Sequence, residues 1–152
     1  MSVAVAAGRV GVMRVLVELG ADVNAAGGVG WTVLRLTAEN GRAEAVAALL
    51  DIGAAIDGME PISRAALHWA LESKHEAVVR VLLARGANVN ACNVDAQYGN
   101  GNTPMAEAAA AGYLDGVRLV AAAGGDVNGV GKCGWTALMW AAEGGHTDVV
   151  EE

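Results

Sequence analysis

GWTALMWAAEGGHTDVV runs from Gly134 to Val150, and GWTVLRLTAENGRAEAV runs from Gly30 to Val46. Both stretches open on Gly-Trp-Thr, place a Leu two residues on and a Gly seven residues beyond that. Matching offsets of this kind mark a repeated unit, and a second marker gives its size. GADVN (Gly20–Asn24), GAAID (Gly53–Asp57), GANVN (Gly86–Asn90) and GGDVN (Gly124–Asn128) follow one another at 33, 33 and 38 residues. The residues that open the first marker, Thr32, Ala65, Thr103 and Thr136, stand 33, 38 and 33 apart. One unit of 33 residues therefore recurs, with five residues added once between Asn90 and Thr103. A fixed period of this size is the mark of a stacked solenoid.

Each unit reads as helix, turn, helix and extended connector. In TPMAEAAAAG the Thr103 hydroxyl can cap free backbone N–H groups, and Pro104 suits a first helical turn, where its missing N–H costs nothing. Gly8, Gly41, Gly112 and Gly145 stand where this first helix must stop. A second apolar run follows, with Val78, Val79, Leu82 and Leu83 at helical spacing, and ends at Gly20, Gly53, Gly86 or Gly124. Helices of about ten residues are too short to be stable alone in water, so stacking must bury their apolar faces. Ala4, Ala38, Ala70, Ala108, Ala109, Ala141 and Ala142 are the small residues that let neighbouring first helices approach closely.

Composition narrows the function. More than half of the chain is hydrophobic (54%), with no Phe, and the formal net charge is −7. Ten scattered basic residues do not make a phosphate-binding surface, so nucleic acid is not an expected partner. Arg9, Arg14 and Glu18 interrupt the most hydrophobic region, so no membrane span is expected; MSVAVAAG lacks the basic flank of a signal peptide. Two cysteines, Cys92 and Cys133, are fewer than a secreted scaffold of this length carries, which points to an intracellular, cytoplasmic protein with free thiols. Neither cysteine has a partner His nearby in sequence, and no His, Cys, Asp or Glu cluster has metal-ligand spacing. GGVG (Gly27–Gly30) and YGNGN (Tyr98–Asn102) carry no Lys and follow no strand, so they read as turns and not as phosphate loops. No catalytic residue, metal or cofactor is expected.

NTPMAEAAAAGY, GWTALMWAAEGGHTDVV, ALHWALESKHEAVVRVLLARGANVN and VLVELGADVN together resemble the ankyrin repeat family over essentially the whole chain. The resemblance implies an all-α solenoid of stacked helix-turn-helix repeats with projecting hairpin-like fingers. It implies one repeat domain over 1–152: a partial repeat 1–28, full repeats 29–61, 62–99 (with the five-residue insertion) and 100–132, and a partial repeat 133–152. No polar capping repeat is visible, so the chain reads as a monomer or as part of a longer array. Three departures from the family pattern stand out. The capping His appears only as His68, with Arg35, Ala106 and Met139 in its place elsewhere. The finger Asp is replaced by Gly27, Glu60 and Gly131. Repeat 62–99 has Ala65 where the Thr cap belongs and Lys74 where the helix-ending Gly belongs. His68, His75 and His146 would make structural hydrogen bonds, as the family's histidines do.

The resemblance also implies a non-catalytic module that binds a protein through its concave face and fingers. The alternative is a regulatory or targeting segment of a larger enzyme. Trp31 and Trp135 follow the finger Gly, and Trp69 and Trp140 sit four residues into a first helix; each is a candidate partner anchor or a packing residue between repeats. Glu39, Glu72 and Glu143 would make part of that face acidic, which suits a partner with a basic segment. Tyr98 and Asn102 are candidates because the one insertion lies in their finger, Ala91–Asn102.

Overall fold

A computed structural model describes residues 10–28, 31–58, 65–92, 101–131 and 133–151. Ala4, Gly8, Gly30, Glu60, Tyr98 and most of the long finger lie outside the described residues. The helices, in chain order, are α1 (Val10–Glu18), α2 (Val33–Glu39), α3 (Ala43–Asp51), α4 (Ala66–Glu72), α5 (Glu76–Ala84), α6 (Pro104–Ala110), α7 (Leu114–Ala122), α8 (Ala137–Glu143) and α9 (Thr147–Glu151). No strand is present among the described residues; the one bridge pairs Gly27 with Trp31 at the base of a finger. Gly131 N–H to Trp135 O closes a second finger at the same register as Gly27 N–H to Trp31 O.

The expected caps form. The hydroxyls of Thr32, Thr103 and Thr136 accept from the backbone N–H of Arg35, Ala106 and Met139. Ala65 stands in the same extended backbone conformation and offers no such bond. First helices α2, α4, α6 and α8 pack on one another in sequence, and more closely than the second helices do, so the stack curves toward the first-helix side. Small residues permit this: Thr37, Ala70, Ala108 and Ala141 share one register position and are all fully buried. Thr37 tolerates burial because its hydroxyl donates to Val33 O, 2.6 Å away. The core runs continuously through the stack, from Met13 through Leu49, Leu67 and Leu82 to Val120 and Val149.

Polar ladders tie one unit to the next. The last residue of each GADVN-type marker accepts from the backbone of the following one: Asn24 from Ala55 N–H (2.7 Å), Asp57 from Asn88 N–H (2.9 Å) and Asn90 from Asp126 N–H (2.8 Å). A second ladder runs along the turns, where Nε2 of His75 and His146 donates to the carbonyls that end α2 and α6, Glu39 O at 2.9 Å and Ala110 O at 3.2 Å. These histidines are structural. The His75 ring lies so close to Gly41 that a Cβ there would fall 2.8 Å from Nδ1, which is a second reason for glycine at the turn besides its φ of 70°.

Lys74 occupies the turn position held elsewhere by Gly41, Gly112 and Gly145, and takes the same left-handed conformation, φ 57°. The following unit carries Tyr113 at the register held by His75 and His146, and its ring lies over Gly116. The α4–α5 pair thus lacks the Thr cap and the glycine turn. Holding a side-chain-bearing residue in the left-handed region costs about 1–2 kcal/mol. Lys74→Gly is therefore expected to raise stability by about 1 kcal/mol, a rise of about 2–4 °C in thermal midpoint for a chain of this size. An unchanged or lower midpoint in a calorimetric scan would show that the turn carries no strain.

Candidate functional site

The inner helix row is built by the repeat itself. Residues at equal places in α2, α4, α6 and α8 line up along the concave side, so single side chains become columns. One column reads Arg35, His68, Ala106, Met139, the next Leu36, Trp69, Glu107, Trp140, and one turn further Glu39, Glu72, Ala110, Glu143. Trp31 and Trp135 precede the helices at the finger bases.

Trp31 and Trp69 are joined by a residue that stood only as a departure from pattern. The Arg35 guanidinium carbon lies 4.0 Å from the centroid of each ring, a cation held between two indoles. Arg35 is 8% exposed, whereas Trp31 is 40% exposed, so the packed face of Trp31 is spent on Arg35 and its outer face is open. Packing and display therefore coexist on one side chain. The arrangement was signalled by Trp31 and Arg35 at four-residue spacing, but Trp69 enters from the next unit.

Trp135 and Trp140 form a second aromatic pair, with ring centroids 4.7 Å apart and planes tilted by 49°. Both are half-buried. Around them Leu138 is 58% and Met139 51% exposed. Leu138 takes the register of Leu34, Leu67 and Met105, each at most 2% exposed because a following unit covers it. Beside Leu138 a groove of about 390 Å³ lies between Val117, Val127, Val149 and Val150.

The carboxylates divide. Glu143 is exposed, Glu39 is half-buried, and Glu72 is exposed. Glu107 is 8% exposed and stands in the column between Trp69 and Trp140; sequence reading missed it because Met-Ala-Glu-Ala looks like an ordinary solvated turn of helix. On the second helices, by contrast, basic residues meet acids: Arg80 with Glu76 and Arg85 with Asp51, both at 2.8 Å, and Arg118 with Asp115 at 3.7 Å. Burial chiefly, with the carboxylates of Glu76 and Asp115, raises the Tyr113 hydroxyl above its ordinary pKa; that residue belongs to the turn, not to the tryptophan columns.

Asn102 is 4% exposed, so its side chain is not offered at the surface; its carbonyl accepts from His68 Nε2 at 3.1 Å. The same Nε2 faces Ala91 O at 3.1 Å, so His68 holds both ends of the long finger together. Tyr98 lies outside the described residues. Cys92 and Cys133 are free and exposed, and no cluster of metal-ligating side chains occurs among the described residues. No described helix is long and apolar enough to cross a membrane.

A curved stack of helix pairs with aromatic and acidic columns on its inner side defines a helical repeat protein of the kind that presents a face instead of a cleft. Family comparison gives the particular kind. The ankyrin repeats model (three copies) matches residues 1–93 and 90–152, and the chain belongs to the ankyrin repeat family, whose repeats are protein-interaction modules. Neurogenic locus notch homolog protein 1 of Xenopus laevis is 32% identical over 119 residues, 78% of this chain and 5% of that protein. Neurogenic locus notch homolog protein 2 of Homo sapiens is 32% identical over 113 residues, 74% of this chain and 4% of that protein. Probable E3 ubiquitin-protein ligase XBOS33 of Oryza sativa subsp. japonica is 48% identical over 54 residues, 36% of this chain and 10% of that protein. The chain thus spans a small part of each of these relatives.

Proposed function

We infer that the chain is a non-catalytic module that holds a protein partner along its concave helix row and fingers. The observation that carries this reading is the run of part-exposed tryptophans on that side, Trp31, Trp69, Trp135 and Trp140, on a stack with a continuous buried core. Tryptophan with one face packed and the other open loses little freedom on binding, which is why it is enriched at binding hot spots. Glu72 and Glu143 are exposed on the same row and favour a partner segment with basic residues. A second reading, a regulatory or targeting segment of a larger enzyme, is favoured by the small share of each relative that the chain covers, a ubiquitin ligase among them. The coding sequence on either side decides between a free module and a segment.

Affinity capture with the full chain supplies the partner, and two variants then test the face. Trp69→Ala with Trp140→Ala, and removal of the five extra residues of the 91–102 finger, are each expected to weaken binding about tenfold or more. Circular dichroism must first show both variants folded. Unchanged affinity in both would place the partner elsewhere on the stack.

A further inference from the structure

We propose that Trp135, Met139, Trp140 and Glu143 form a docking site for an arginine side chain borne by a partner's peptide segment. The inference rests on the reading of the concave side as the docking face, and the chain itself displays the ligand chemistry. In α2 an indole at a finger base, Trp31, is followed at four residues by Arg35 and at eight by Glu39. In α8 the same register holds Trp135, Met139 and Glu143. The first set is filled from within, with the Arg35 guanidinium 4.0 Å from the Trp31 centroid. The second has its aromatic and acidic members but a methionine where the cation stands, and that methionine is 51% exposed.

The chemistry selects arginine over lysine. A planar guanidinium can lie flat on an indole while its edge donates two hydrogen bonds to a carboxylate; an ammonium cannot do both. Glu143 lies four residues after Met139 and three after Trp140, so all three share one face of α8. Trp140 packs directly against Trp135, so the arginine would lie on the part of the Trp135 ring that Trp140 does not cover. The thioether of Met139 is flexible and yields readily to an incoming side chain. Arg118, which borders the neighbouring apolar groove, is drawn toward Asp115 on its own helix.

The test uses the intact chain and a short neutral peptide containing one arginine, compared with the same peptide carrying lysine or citrulline. Indole N–H resonances are followed by NMR. The arginine peptide is expected to shift Trp135 and Trp140 further than Trp31 and Trp69, since Arg35 already occupies one face of each of those two rings. The lysine peptide should bind about fivefold more weakly and the citrulline peptide more weakly still. Met139→Arg, at an exposed position that does not threaten the fold, should stack its own guanidinium on Trp135 and abolish the response, whereas Met139→Leu should retain it. No shift at millimolar arginine peptide, an equal response to lysine, or an undiminished response in Met139→Arg would each overturn the site. A captured partner that binds Met139→Arg unchanged would also overturn it, while leaving the concave face as the docking face.

Discussion

His68→Ala is expected to lower the stability of the chain by about 3 kcal/mol, or about 6–12 °C in thermal midpoint. The imidazole is 1% exposed, and its Nε2 lies 3.1 Å from both Ala91 O and Asn102 O. A carbonyl can only accept, so Nε2 carries the proton and shares it between the two. Truncation removes packing volume and strips a donor from two carbonyls held in low dielectric, and the two losses add. His68→Leu separates them: volume is restored, the donor is not, and about half of the loss should remain. The position also has a local meaning. Residues 91 and 102 bracket the finger that carries the five extra residues, and closing a longer loop costs more chain entropy. The histidine stands in the one unit whose finger needs holding shut, and Arg35, Ala106 and Met139 stand where it does not. Amide exchange should therefore rise first at the finger neck in His68→Ala. Equal exchange throughout, with an unchanged midpoint, would show that the neck is held by something else.

How far the sequence could be read follows from the range of each interaction. The helix pairs, their stops and their Thr caps depend on residues within a turn of one another, and the period alone placed them; Lys74 at φ 57° is such a local consequence. The ladder of Asn24, Asp57 and Asn90 was hidden, because its acceptors meet backbone N–H groups 31 to 36 residues away. The tryptophans were legible as a class but not as pairs. Trp135 and Trp140 lie at one helix start, yet Trp31 and Trp69 meet on the Arg35 guanidinium, and the Trp69 contact exists only once adjacent units are stacked. Gly131 looked like a loss of the finger's usual acid. In the fold its missing Cβ is required, because the Gly101 backbone occupies that space.

Arg35→Ala is expected to cost about 2–3 kcal/mol and to loosen the inner row between α2 and α4. Two indole faces each contribute about 0.5–2 kcal/mol to a desolvated guanidinium, and the buried methylenes add hydrophobic contact. Against this stands the cost of burying a charge at 8% exposure, so the net value is smaller than the sum. The balance can be measured by three substitutions. Arg35→Met keeps the stem without the charge and should recover about half of the loss. Arg35→Lys keeps the charge without the plane, and should fall below Met if flat stacking on both rings is what matters. Arg35→Ala should also expose the inner faces of Trp31 and Trp69, read as stronger quenching of their fluorescence by a neutral solute. The result bears on function as well as stability. A row in which Arg35 locks two tryptophans presents a partner with a fixed surface and little entropy to lose on binding. If Arg35→Ala is as stable as the parent chain and its tryptophans are no more accessible, the two rings are held by the stack alone, and Arg35 is a passenger between them.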